Sequence, residues 1–251
     1  MEIYVVCNSK GGSGKTTTAY HLARWLVGQG RPPLIWGLDG DVQGITKLLG
    51  PSHFRPSGAD VLAGRVALNQ AAAVCELDGA LVVPEAPELR EVADSLTLRP
   101  AGVFAVGAAL QKVAAWLGQR PIVIDTPGAI NTLTRSALLA AAAHGGRLVL
   151  PTQPALADLP GITETIQAAH DLADQLRTAG VPLGDVRIGG VMVVRYRAGY
   201  GQHDTATGKA RDMALMRHTG FGIVPTAEGA DRDAKMTAAY DDIFDQWWGG
   251  L

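Results

Sequence analysis

At 251 residues, 47% of them hydrophobic, the chain can bury a sizeable core and is not a disordered polymer. A formal net charge of −2 excludes a protein that is basic overall, so any nucleic-acid surface has to be a local patch. Two widely spaced cysteines, Cys7 and Cys75, exclude a disulfide framework or a metal knuckle, and Cys7 ends an apolar run as a buried structural thiol would.

In chain order, apolar runs alternate with longer amphipathic stretches. A strand is predicted at 3–7, a helix at 15–29 and a strand at 33–38. The stretch 50–98 is cut by Pro51, Pro56 and Pro84 into short helices around one strand at 80–83. Beyond it come a helix at 104–117, a strand at 122–125, a helix at 132–143 and a strand at 147–150. A helix at 162–179, a strand at 187–194, a helix at 203–219, a strand at 221–224 and a helix at 234–247 complete the chain. Strands alternating with helices of this length imply an α/β fold: a doubly wound, mainly parallel sheet flanked by helices, with residues 1–251 as a single domain. The first strand follows Met1 and Glu2 with no basic leader, and the small-apolar run 137–143 is shorter than the roughly 20 residues of a bilayer span. The expectation is a soluble cytoplasmic protein.

Between the first strand and first helix lies Asn8-Ser-Lys-Gly-Gly-Ser-Gly-Lys-Thr-Thr-Thr18. Gly11, Gly12 and Gly14 let backbone N–H groups turn inward around phosphates, with Ser13 between them, and the helix behind directs its positive end at the same anion. Lys15 would reach the β- and γ-phosphates, the Thr16 hydroxyl would ligate Mg²⁺, and Thr17 would cap the α-phosphate. A glycine turn without a ligand would not account for Lys-Thr-Thr directly after the glycines. The common pattern G-x-x-x-x-G-K-[ST] has glycine where this chain has Ser9, and the loop carries a second lysine, Lys10, at its leading edge.

That early lysine makes "KGGSGKTT" resemble the deviant Walker A loop of the ParA/MinD ATPases, P-loop NTPases in which it is the signature residue. The resemblance implies that Lys10 reaches across a dimer interface to the partner's nucleotide, so that ATP joins two subunits face to face. "GLDGDVQG" (37–44) resembles the family's switch segment D-x-D-P-Q-G, with Val42 in place of proline. It implies that Asp41 orients or deprotonates the attacking water and that Asp39 helps hold the Mg²⁺ shell. "IVIDTPG" (122–128) resembles the Walker B region; Asp125 would bind Mg²⁺ through water, and Gly128 stands where many relatives have a second proline. "LVLPTQPALADLPGI" (148–162) and "FGIVPTAEGADRDAKM" (221–236) extend the likeness over most of the chain and put Pro225 near the adenine. The absence of Asn-Lys-x-Asp, with which many GTPases read guanine, favours ATP.

The resemblance leaves several roles open. The first is a ParA-type partition ATPase for plasmid or chromosome segregation. Its ATP-bound homodimer binds double-stranded DNA without sequence preference, and a ParB-like partner stimulates an otherwise slow hydrolysis, which makes such a protein nucleoid-associated. Between 187 and 218 six basic side chains stand against Asp204 and Asp212, and Arg195, Arg197, Lys209, Arg211 and Arg217 are the candidate DNA contacts. A solvated helix face is the plainer reading of the same charges. A positioner of protein cargo would use the same DNA binding with a different partner. A MinD-like membrane ATPase needs a basic amphipathic tail, whereas Asp241, Asp242 and Asp245 beside Trp247 and Trp248 would be repelled by anionic lipid, so no membrane is expected. The nitrogenase iron protein shares the loop but needs cluster cysteines that this chain lacks. The loop begins within about ten residues of Met1, so the reading expects no N-terminal helix-turn-helix and resembles the small ParA proteins.

Overall fold

The computed structural model describes residues 1–40, 44–181, 184, 187–227 and 231–249. The chain runs β1 (Ile3–Val6), α1 (Lys15–Gly28), β2 (Leu34–Gly37), α2 (Ile45–Leu49), α3 (Gly58–Leu62), α4 (Leu68–Ala71), β3 (Ala73–Val74), β4 (Leu81–Val83) and α5 (Leu89–Thr97). It continues through α6 (Ala105–Lys112), α7 (Ala114–Leu117), β5 (Ile122–Asp125), α8 (Thr132–His144), β6 (Arg147–Thr152), α9 (Leu159–Thr178), β7 (Arg187–Tyr196), α10 (Gly201–Leu215), β8 (Gly220–Pro225) and α11 (Arg232–Trp248). Among the described residues eight strands form one sheet in the order β3-β4-β2-β5-β1-β6-β7-β8. Every neighbouring pair is parallel except β3 with β4.

The central strands read as unbroken apolar runs because helices cover both faces, so both sets of alternating side chains are buried. In β1, Ile3 and Val5 join Trp36, Ile124, Leu133 and Ile162 in one core, and Tyr4 and Val6 join Leu22, Trp25, Tyr240 and Phe244 in the other. Local chemistry fixes the helix ends. Asn131 caps α8 by accepting from the Thr134 N–H at 3.0 Å, and Gly145, at φ 62°, stops it in the left-handed conformation that glycine adopts without strain.

The last helix closes the second core. Trp248 is buried, the Trp247 ring covers Gly190 and Gly220 of the two adjacent strands, and a Cβ on Gly190 would lie 2.3 Å from that ring. Asp245 accepts from Trp25 Nε1 at 2.8 Å and Asp241 pairs with Arg24. The tail tryptophans thus pack onto the core, as their acidic neighbours suggest. Among the described residues no helix is long and apolar enough to cross a membrane.

Two predicted elements differ. The helix expected over 104–117 is a 3-10 turn followed by α6 and α7, broken at Val113, whose φ of −116° and ψ of 17° leave the helical region. The stretch 50–98 holds two strands rather than one, because the two-residue β3 pairs antiparallel to β4 at the sheet edge.

For the site, the register of the central strands matters most. Val6 of β1 and Gly37 of β2 both pair with Asp125 of β5, so the loops leaving these three strands emerge side by side at the carboxyl edge. Ligands of open parallel sheets bind at such an edge.

Candidate nucleotide site

The loop after β1 is held from outside as well as by its own glycines. Gly12 and Gly14 have φ of 72° and 91°, and Gly14 opens α1 in the left-handed conformation. Asn8 Nδ2 donates to the Pro151 carbonyl at 2.8 Å, while Asn8 Oδ1 accepts from the Lys10 N–H at 2.9 Å. The Ser9 N–H donates to Thr165 Oγ1 at 3.0 Å, its hydroxyl to Glu164 Oε2 at 2.7 Å, and Gln153 Nε2 to the Gly12 carbonyl at 2.7 Å. Ser9, the departure from the common glycine, thus fastens the loop to α9. The segment 148–162, singled out in the sequence, supplies Pro151 and Gln153 to this wall, and Glu164 and Thr165 follow it on α9.

Inside the loop Lys15 is buried, and its ammonium donates to the Lys10 carbonyl at 2.9 Å and lies 3.4 Å from Ser13 Oγ. Burial pulls its pKa down, and Asp125 and Asp39 oppose that shift. The Thr16 hydroxyl donates to Asp125 Oδ2 at 2.7 Å. Asp125 is fully buried, its second oxygen has no hydrogen-bond partner, and burial followed by the nearby Glu85 pushes its pKa up to about 8. Thr16, Asp39 and Gly128 line one cleft with the loop glycines and Lys15, a cavity of about 220 Å³. A Cβ on Gly128 would lie 3.1 Å from Gly11 Cα, so glycine there lets the strand-end turn lie against the loop. A hydroxyl and two carboxylates beside a buried ammonium are hard-oxygen and cationic groups that suit a divalent ion carrying phosphate oxygens. The orphaned Asp125 oxygen is the acceptor such a group would satisfy.

A second cavity of about 110 Å³ adjoins the first and shares Gly14, Thr17 and Arg195 with it; Val224, Pro225 and Tyr240 are among its walls. Arg195 reaches both cavities because the β7–β8 register shifts between Val194 and Tyr196 and Arg195 sits at φ 59°. Left-handed backbone at a bulge re-aims a side chain.

The remaining candidates are dispersed. Lys10 Nζ stands 3.8 Å from Asp158 Oδ1, with 47% of its side chain exposed. Arg197, Lys209 and Arg211 are exposed, the Arg211 guanidinium lies 5.3 Å from the Phe221 ring centroid, and half-buried Arg217 donates to the Met213 carbonyl at 3.2 Å. The basic run is therefore divided between the cleft, which takes Arg195, and the surface around α10. Asp41 lies outside the described residues. The sequence reading missed Gln153, Asp158, Glu164 and Glu85. The first three sit in or just after the segment it had quoted, and nothing in the sequence pointed to Glu85.

A family model described as an AAA domain matches residues 1–179. The chromosome partitioning protein ParA of Caulobacter vibrioides is 30% identical over 179 residues, 70% of this chain, and the match spans 65% of that protein's length. The chromosome-partitioning ATPase Soj of Thermus thermophilus is 28% identical over 244 residues, 90% of this chain and 89% of the relative. Among solved structures, cobyrinic acid a,c-diamide synthase from Mycobacterium smegmatis with bound ATP analog and magnesium superposes with a TM-score of 0.79 at 23% identity. That superposition covers 100% of this chain and 97% of the other and shares the fold. The deviant loop, stapled by Ser9 and leading with Lys10, agrees with the family match over most of the length: the chain belongs to the ParA/MinD family of P-loop ATPases.

Proposed function

We propose that this chain is a ParA-type ATP hydrolase, one domain over residues 1–251, whose Mg²⁺-ATP-bound dimer attaches to double-stranded DNA without sequence preference. A ParB-like partner would speed its slow hydrolysis and release it, in partition or in positioning of a cargo. The observation that carries this reading is the convergence of Lys15, Thr16 and Asp39 in one cleft lined by the deviant loop, with Asp125 buried behind it and bonded to Thr16.

In this reading the N–H groups of residues 11–17 bind the α-, β- and γ-phosphates, and Lys15 leaves the Lys10 carbonyl for a phosphate oxygen. Magnesium, when bound, supplies charge neutralisation on the β- and γ-phosphates. Thr16 would offer its hydroxyl to that ion, and Asp125 and Asp39 would help to hold it, the positive charge relieving the buried carboxylate of Asp125. Asp41 orients the attacking water and takes its proton. Pro225 and Arg195 flank the base pocket. Lys10 leaves Asp158 and crosses to the partner's nucleotide. Arg197, Lys209, Arg211 and Arg217 contact DNA phosphates, and the protein works in the cytoplasm on the nucleoid.

The test is binding to a random-sequence duplex over a salt series with ATP, ADP or no nucleotide. Binding with ATP alone, falling steeply as salt rises, is expected, because phosphate contacts release counterions. Equal binding in all three states, or none, would remove DNA attachment from the proposal.

A further inference from the structure

We propose that Ser9, Glu164 and Thr165 form a clasp between α9 and the leading edge of the phosphate loop, in which Glu164 and Thr165 are positioning residues that hold the loop in its binding shape before nucleotide arrives. The inference rests on the ATPase reading above and adds to it two residues that lie outside the loop, switch and strand-end motifs.

Helical spacing turns one face of α9 toward the loop. Asp158 precedes the helix, and Gly161 and Thr165 stand at the i+3 and i+7 positions from it. Glycine at 161 allows the close approach, since a Cβ there would lie 2.3 Å from Asn8 Oδ1. Thr165, one turn further on, is fully buried. Its hydroxyl donates to the Gly161 carbonyl at 2.7 Å, which leaves its oxygen free to accept the Ser9 N–H at 3.0 Å. On the solvent side the Ser9 hydroxyl donates to Glu164 Oε2 at 2.7 Å. A second clamp, Gln153 on the Gly12 carbonyl, holds the loop three residues later. Lys10 and Gly11, between the two clamps, are exposed.

The clasp secures the loop more than it secures the core. Glu164 is exposed, Ser9 is half-buried, and the glycine of the common loop pattern could not make the bond to Glu164 at all. What the clasp fixes is the backbone around Lys10. Asn8 Oδ1 takes the Lys10 N–H at 2.9 Å, and the Lys10 carbonyl receives the Lys15 ammonium at 2.9 Å. A phosphate loop binds through N–H groups that must all face inward together. A loop already held in that shape meets nucleotide without a further ordering cost, whereas a frayed loop binds only through its competent fraction. ADP and ATP meet the same loop, so the gain is common to both and falls on affinity rather than on the chemical step.

The experiment compares the full chain with Thr165→Val, Thr165→Ser, Ser9→Ala, Glu164→Ala and the Ser9→Ala/Glu164→Ala pair. Hydrogen exchange of the Ser9 amide is read without nucleotide, and ADP affinity, KM for ATP and kcat are read with Mg²⁺. Thr165→Val leaves the Ser9 N–H without its acceptor. It is expected to exchange that amide about tenfold faster and to weaken ADP binding and raise KM about tenfold, with kcat within about twofold of wild type. Thr165→Ser keeps the hydroxyl and is expected to restore all three values. Ser9→Ala and Glu164→Ala cut the same solvent-screened bond from either side. Each is expected to weaken ADP binding about threefold, and the pair no further than either alone. Unchanged Ser9 exchange in Thr165→Val, ADP affinity at the wild-type value in a variant that only melts earlier, or additive losses in the pair overturns the proposal. Should Thr165→Val fail to fold, the Ser9 and Glu164 cycle decides. A wild-type chain that binds neither ADP nor ATP removes the ATPase reading instead, and the exchange measurement still judges the clasp.

Discussion

Burial makes charge expensive at several single titratable residues, and the nucleotide cleft is not the only place where it does. His21, on the buried face of α1, stacks on Tyr240 with ring centroids 4.2 Å apart, and its Nδ1 has no hydrogen-bond partner. Burial, then the neighbouring Arg24, lowers its pKa to about 4, while Asp241 and Asp233 pull the other way. Unfolded histidine takes its proton near 6.5, so between about 6.5 and 4 the unfolded chain binds a proton that the folded chain refuses. Stability contributed by neutral His21 is complete above that window and is lost as pH falls through it, by roughly 2–3 kcal/mol. His21→Phe keeps a ring against Tyr240 and removes the titration. Chemical denaturation at pH 7 and pH 4.5 should therefore show a smaller acid loss in the variant than in the wild type. Equal losses would place the acid sensitivity in other groups. The residues legible in the sequence were those whose role follows from neighbours in the chain: three glycines, a lysine and a threonine after a strand declare a phosphate loop. Glu85, 39 residues from the Thr46 it holds, has no such local signature.

At the scale of elements, length decided what could be read. The helices of α1, α8, α9, α10 and α11 and the strands of β1, β5 and β6 each hold enough residues to display a period or an unbroken apolar run. The short helices between 45 and 71 do not, and β3 is set by its antiparallel pairing with β4, itself legible as an apolar run at 80–83, rather than by pattern. The last helix shows how packing settles what composition leaves open. Acidic residues and two tryptophans suit a helix that docks, and the structure provides the dock: Phe244 stacks on Trp248 at 5.5 Å and Tyr4 of β1 lies 5.0 Å from the same ring. Trp248→Ala would leave a cavity between sheet and helix and should cost about 3–5 kcal/mol. Calorimetry or denaturant melting would measure it; a loss below about 1 kcal/mol would mean that α11 collapses to fill the space. Because Tyr240 of the same helix lines the cavity that shares Gly14 and Thr17 with the phosphate loop, that variant should also weaken nucleotide binding.

Over the whole molecule, the parallel sheet gathers three strand ends at one edge, which explains why a glycine loop and two acidic strand ends far apart in sequence were readable together as one site. The basic run after β7 was not readable in that way, because its fate depends on a bulge. Sequence proximity grouped Arg195 with Arg197, Lys209, Arg211 and Arg217, whereas the left-handed backbone at Arg195 turns it into the cleft and the others stay around α10. Two substitutions separate these roles. Arg195→Ala should weaken ADP binding about tenfold or more, the cost of one charge-assisted hydrogen bond to phosphate, and should affect DNA binding only through nucleotide occupancy. With saturating ATP its salt dependence on a random duplex should match that of the wild type. The pair Lys209→Ala with Arg211→Ala should leave ADP affinity unchanged and weaken DNA binding, reducing the slope of log affinity against log salt by about 0.9 for each DNA phosphate no longer neutralised. A lower slope with Arg195→Ala and an unchanged one with the α10 pair would reverse the division and move the DNA surface to the mouth of the cleft.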